Sequence, residues 1–200
     1  MLNLLDYRRR VNEMYRLIRD SDDPAAAREM FRLMRDDLFR SHPQSPLTDD
    51  QKASFSGLHY YDYDPAYRVI ATVDTTVEPE TLEYALGEDG VMRCTRFARV
   101  NVTLPTGTGS LSLFWINGYG GGVFLPFGDA TNRQTTYGAG RYLYDTIKGA
   151  DLGASQREIV LDFNFAYNPS CAYNPRWVCP LAPPENRLPF PIPAGERLFP

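Results

Sequence analysis

The chain has 200 residues, 43% hydrophobic and 13% aromatic, and a formal net charge of −4. That is enough apolar material for one domain with its own core, and too much for a disordered polypeptide. The acidic balance leaves no basic footprint for nucleic acid, and no apolar run reaches the roughly 18 residues of a membrane-spanning helix.

Only Lys52 and Lys148 stand among the 21 basic residues, which leaves little choice for Schiff-base chemistry. Residues 1–20 carry Asp6, Arg8, Arg9, Arg10, Glu13, Arg16 and Arg19, so no continuous apolar core of a secretory signal is visible there. A cytoplasmic location is the resulting expectation. Three cysteines, an odd number, do not suggest a secreted disulfide framework.

Residues 1–45 read as a helical hairpin and its linker. Leu4, Tyr7, Val11, Met14, Tyr15 and Ile18 recur at steps of three and four, opposite an arginine-rich face. Asp22-Asp23-Pro24 marks a second helix start, because a carboxylate caps free amides and proline suits the first turn. Ala27, Met30, Phe31, Met34 and Leu38 form the stripe of this helix, and Ser41-His42-Pro43 ends it. An arginine-rich amphipathic helix fits an anionic membrane, but the interspersed acidic residues favour a hairpin packed on the domain. The same hairpin offers a surface for a protein partner.

Residues 46–168 read as an antiparallel β domain. From Ala53 the period becomes two and turn signals recur at short spacing. Strands are predicted over 55–61, 67–73, 82–86, 91–104, 111–116, 123–127, 135–144 and 158–165. No crossover helix separates them, so the fold class is mainly β with an N-terminal helical hairpin. An antiparallel β-barrel of about 8–10 strands is preferred because closure leaves no edge, with a two-sheet β-sandwich as the alternative. The glycine-rich Asn117–Gly122 stretch precedes the apolar run VFLPF rather than a helix, and is therefore a hairpin turn rather than a phosphate loop.

Residues 169–200 hold nine of the sixteen prolines, yet they also carry Tyr173, Trp177, Phe190 and Phe199. Such a segment is expected as an ordered, irregular strap laid over the β domain. Cys171 and Cys179 are too far apart for a zinc knuckle or a redox Cys-x-x-Cys. Three readings stay open: structural thiols, metal ligands joined by Cys94 and Glu185, or a disulfide. Closing that loop by a disulfide would stabilise by about 2–3 kcal/mol.

Alternation puts Leu161, Phe163 and Phe165 on one face of their strand, and Asp162 and Asn164 on the other. The glycines of Tyr137-Gly138-Ala139-Gly140-Arg141 keep room beside the guanidinium. If the two strands are neighbours, Arg141 and Asp162 pair bidentately. The pair then either orders the sheet or floors a pocket in which Arg141 receives a carboxylate or phosphate. No Gly-x-Ser-x-Gly elbow or His-Glu-x-x-His helix is present, and His42 and His59 are the only histidines.

The motifs FGDATNRQTTYGAGRYL, LDFNFAYNPSCAYNP and CPLAPPENRLPFPIPAGE resemble domain-of-unknown-function family 1684, as do SHPQSPL and FSGLHYYDYDPAYRV. The likeness spans about Arg28 to Glu196. It implies no reaction, cofactor or catalytic role. Its motif residues include Arg141, Asp162, Asn164, Asn168, Cys171, Cys179, Glu185 and Asn186.

The leading functional expectation is a protein that binds a small anionic or polar metabolite in a barrel pocket closed by the strap. Arg141 would meet the anion, Asp162, Asn164, Glu185 and Asn186 would set polar specificity, and Tyr137, Tyr167 and Trp177 would form aromatic walls. An enzyme using Asp162 or Glu185 in acid–base chemistry, with Arg141 stabilising negative charge, is the second expectation. A protein-interaction or structural module is the third. No cofactor or metal is assigned.

Overall fold

The computed structural model describes residues 1–199. Two helices of 18 residues open the chain, α1 (Leu2–Arg19) and α2 (Pro24–Ser41). The Asp23 carboxylate caps α2, accepting the amides of Ala25 and Ala26 at 3.0 Å each, and Pro24 fills the first turn. The inward face of α2 is more polar than its apolar stripe suggests. Arg28, Arg35 and Asp36 are buried there alongside Ala27, Phe31 and Leu38. A short helix, α3 (Asp49–Ala53), stands at the start of the predicted β domain, opened by a reciprocal capping box between Thr48 and Gln51.

The remainder is built on one antiparallel sheet of seven strands, curled into a half-barrel. These are β1 (Arg68–Asp74), β2 (Thr81–Ala85), β3 (Val91–Leu104), β4 (Gly107–Ile116), β5 (Gly122–Phe127), β6 (Arg141–Asp145) and β7 (Glu158–Asp162). Their order is β6-β5-β4-β3-β1-β7, with β2 also paired to β3. The expected barrel is thus borne out only as a curled half-barrel. Among the described residues, β6 meets the chain beyond β7 at an isolated bridge, Tyr142 with Tyr167, rather than along a ladder.

One predicted strand, 55–61, is absent from the sheet, and another, 135–144, is shortened to β6. Residues 55–61 are extended but bond to the C-terminal segment instead of the sheet: Tyr61 N–H donates to Gly195 O at 3.0 Å and Arg197 N–H to His59 O at 2.8 Å. Residues 135–140 form a loop knotted by side chains, with Thr131 Oγ1 2.7 Å from Thr136 Oγ1 and Asn132 donating to Tyr137 O at 3.0 Å. Gly140 ends it at φ +103°, where a Cβ would lie 2.6 Å from Phe127 O.

The expected Arg141–Asp162 pair does not form. Arg141 begins β6, which pairs with β5, whereas Asp162 ends β7, which pairs with β1 at the other end of the sheet. Between them the chain turns through Thr146–Lys148 and the left-handed Gly149 and crosses to the opposite edge. Each residue takes another partner: Asp129 for Arg141, and Arg68 for Asp162.

The core sits in the concavity. Ala98, Val100, Val102 and Leu104 alternate inward along β3 and meet Leu111, Leu113, Phe127, Leu143 and Leu161 from neighbouring strands. Met14, Tyr15 and Phe31 of the hairpin cover this face, with Phe31 edge-on to Phe165 at 5.3 Å between ring centroids. The other face of the sheet carries a smaller cluster of Cys94, Phe114, Phe124 and Tyr142. β6 is buried at every position, although its sequence, Arg-Tyr-Leu-Tyr-Asp, is charged at both ends.

The C-terminal segment returns over the sheet. Leu188 N–H donates to Gly128 O at 2.8 Å, and Leu198 N–H to Thr135 O at 2.9 Å. The buried Glu196 accepts from Arg35 of α2 at 2.9 Å and from the amide of Asn168 at 3.0 Å, and is also bonded to the Tyr173 hydroxyl. No helix among the described residues is long and apolar enough to cross a membrane.

Candidate functional site

The most distinctive polar geometry lies where β1 begins and β7 ends. Antiparallel register sets Arg68 directly opposite Asp162, which brings their side chains together across the strands. The approach to Arg68 is fixed by Asp64, whose carboxylate caps the amide of Ala66 at 2.9 Å and starts the tight turn Pro65–Tyr67. Asn164, just past β7, clamps that turn. Its Oδ1 accepts from Asp64 N–H at 3.0 Å while its Nδ2 donates to Asp64 O at 2.8 Å.

The same Asn164 occupies one oxygen of Asp162. Asp162 Oδ1 accepts from Asn164 Nδ2 at 2.8 Å and from its backbone N–H at 3.1 Å. Asp162 Oδ2 is different: it is buried, has no hydrogen-bond partner among the described residues, and lies 3.7 Å from Arg68 Nε. An unpaired buried carboxylate oxygen is expensive unless something meets it. Burial pushes the Asp162 carboxyl up to about 6, against the opposing effect of the Asn164 hydrogen bonds and the Arg68 and Arg28 charges.

Asp162 lines a cleft of 310 Å³ between the turn joining α1 to α2, the β1–β7 edge and residues 152–155. Ile18, Pro24, Leu152, Val160 and Phe165 give it apolar walls, and Arg68, Ser155 and Glu158 give it polar ones. The Arg68 side chain is 36% exposed against 2% for Asp162, so the carboxyl is the more deeply buried of the two. This arrangement can accept a hydrogen bond at depth and bind an anionic group at the mouth.

The other residues singled out from sequence fall into separate networks, and none of the following six lines this cleft. Arg141 is fully buried, pairs with Asp129 at 2.9 Å and donates to the backbone carbonyls of Ile192, Ala194 and Glu196. Glu185 accepts from Arg96 at 2.6 Å and Ser112 Oγ at 2.9 Å. Asn186 spans Ser112 and Pro126. Tyr137 donates to Cys171 Sγ at 3.5 Å, Tyr167 packs edge-on to Tyr142, and Trp177 donates to Pro46 O at 3.4 Å. Arg68 escaped the sequence reading. Its signal, the first strand residue after a proline turn, acquires meaning only once β1 and β7 are known to pair.

Further clefts lie elsewhere. A groove of 540 Å³ runs along the outer face of the hairpin between Arg9, Glu13, Leu33 and Asp37. A polar recess of 200 Å³ is lined by Arg28, Arg32 and Tyr60. Among the described residues, no group of three or more His, Cys, Asp or Glu is placed to hold a metal ion. Cys94 lies in the apolar cluster of the sheet, whereas Cys171 and Cys179 meet beside Tyr137.

The family model described as protein of unknown function (DUF1684) matches residues 53–197. The chain belongs to the DUF1684 family. A DUF1684 chain of this shape has a solved counterpart in the solution NMR structure of an uncharacterized protein from Haloarcula marismortui. The two share 35% identity and a TM-score of 0.61 over 84% of this chain and 91% of that one. None of the curated proteins compared with this DUF1684 member matches it.

Proposed function

We propose that this DUF1684 protein binds a small polar metabolite in the cleft between the helical hairpin and the β1–β7 edge. The observation that carries the reading is Asp162 Oδ2, a buried carboxyl oxygen with no hydrogen-bond partner among the described residues, on a side chain that lines that cleft. A ligand donor that reaches Oδ2 relieves its isolation, and an anionic group on the same ligand meets Arg68 at the mouth. Arg68, rather than the fully buried Arg141, is the anion contact in this reading. Asn164 holds the Asp162 carboxyl in place.

The test is a screen of small carboxylates and phosphates carrying amine or hydroxyl donors, followed by NMR shifts and by titration of Asp162→Asn and Arg68→Met. A true ligand perturbs the amides of β1, β7 and residues 152–155, and loses at least about tenfold in affinity with either variant, a difference of about 1.4 kcal/mol. A hit that binds both variants as well as wild type removes the cleft as the site.

The Asp162 carboxyl at about 6 also favours an acid–base role on a bound substrate. That reading requires a turnover whose pH profile bends near 6 and loses the bend in Asp162→Asn.

A further inference from the structure

Away from the cleft, the C-terminal segment brings two thiols together. The tight turn Ser170–Ala172 presents Cys171, and the chain then reverses at Asn174-Pro175 and returns Cys179 to the same spot. Cys171 N–H donates to Cys179 Sγ at 3.4 Å, and the Tyr137 hydroxyl donates to Cys171 Sγ at 3.5 Å. Both cysteines are partly exposed and neither is in a disulfide. The third cysteine, Cys94, is fully buried elsewhere.

We propose that Cys171 and Cys179 are a redox-active pair that forms a reversible disulfide by exchange with a small disulfide such as glutathione disulfide, with Cys171 attacking first. In the first step the Cys171 thiolate attacks one sulfur of R–S–S–R. The R–S–S–R bond breaks, one RS⁻ leaves and a mixed disulfide remains on Cys171. In the second step Cys179, having given its proton to solvent, attacks Cys171 Sγ and expels the second RS⁻. The protein pair loses two electrons and two protons, and R–S–S–R is reduced to two RSH.

Asymmetry in the surroundings sets the order. Cys171 Sγ accepts a hydrogen bond from the Tyr137 hydroxyl, and the Cys179 thiol lies beside it. Together they draw the thiol down to about 6, Cys179 being the largest cause, with burial opposing. Cys179 moves up, chiefly because its proton is held by Cys171, with burial adding. Of the other titratable groups nearby, Lys148 acts on Cys179, and Tyr142 interacts with both thiols.

Closure of the loop has a structural consequence. The segment between the thiols holds Trp177 Nε1 on Pro46 O at 3.4 Å and Arg176 on Ser45 O at 3.5 Å, just beyond the end of α2. Oxidation therefore fixes the contact between the C-terminal segment and the hairpin.

The experiment treats full-length protein with glutathione disulfide and follows it by intact mass and peptide mapping. Wild type is expected to lose one pair of hydrogens and yield a Cys171–Cys179 crosslinked peptide that reductant reverses. Cys179→Ser is expected to stop at a mixed disulfide on Cys171, and Cys171→Ser to react more slowly. In reduced wild type, alkylation of Cys171 is expected to level off above about pH 7 instead of rising through the ordinary thiol range near 8.5. Glutathione left on both cysteines without a crosslink, a crosslink between two copies, or alkylation of both thiols rising alike through pH 8.5 would each overturn the proposal.

Discussion

Arg141 and Asp129 form an ion pair of 2.9 Å with both side chains wholly removed from solvent. Asp129 Oδ1 is already occupied by Thr131 and by the amide of Ile192, and Arg141 adds the carbonyls of Ile192, Ala194 and Glu196. The pair is thus a clasp that joins the loop after β5 and the start of β6 to the returning C-terminal segment. Replacing one partner leaves the other charge buried and alone, which costs about 3–5 kcal/mol. Arg141→Met is therefore expected to lose that much in urea unfolding. The double variant Arg141→Met/Asp129→Asn should recover part of it, because the amide removes the orphaned charge. Unchanged stability of Arg141→Met, with a ligand affinity lost instead, would contradict the clasp.

Asp162 makes stability depend on pH in an unusual direction for a carboxylate. Its folded value of about 6 lies above the ordinary unfolded value of about 3.9. Between those values the folded state holds the proton more tightly, so this group's contribution falls as pH rises from about 4 to about 6, and stays lost above that. The span of about two units is worth on the order of 3 kcal/mol at neutral pH. Asp162→Asn preserves an acceptor for Asn164 and carries no charge. It is expected to match wild type near pH 4 and to exceed it progressively up to pH 7, as measured by urea unfolding across that range. A difference that stays constant with pH would remove burial of the charge as its cause.

The legible parts of this chain are those governed by local rules. The start of α2 at Asp23-Pro24, its end at His42, the long β3 and the turn before β5 all follow from capping, periodicity and glycine placement. What failed depended on pairing across long separations. Arg141 and Asp162 both stand on strands, but nothing near either residue states that β7 crosses to β1 rather than lying beside β6. The inner face of α2 misled for a related reason. Arg35 and Asp36 look like solvated charges until Glu196, 161 residues from Arg35, and the amide of Leu58 arrive to meet them. Thr48 and Gln51, by contrast, are a readable helix start just after the proline-bearing linker.

Asn186 repairs a gap that Pro126 opens in the sheet. The register Phe114–Phe124, continued by two residues, sets Ser112 opposite Pro126. Proline has no amide to donate, so the ladder between β4 and β5 stops there. The Asn186 side chain replaces it: Oδ1 accepts from Ser112 N–H at 2.7 Å, and Nδ2 donates to Ser112 O at 2.9 Å and Pro126 O at 2.8 Å. Asn186→Ala leaves a buried amide and two carbonyls without these partners. Each such loss is worth about 1–3 kcal/mol, partly relieved by water, so a total of about 3 kcal/mol is expected. Asn186→Asp should be at least as damaging, because a carboxylate would face both carbonyls with no proton to give. Hydrogen exchange at the Ser112 amide reads the same contact locally. It should be slow in wild type and faster by orders of magnitude in Asn186→Ala, while the amides of β1 and β7 change only with global stability. A Ser112 amide that stays protected in the variant would mean that another group, not Asn186, closes the sheet at Pro126.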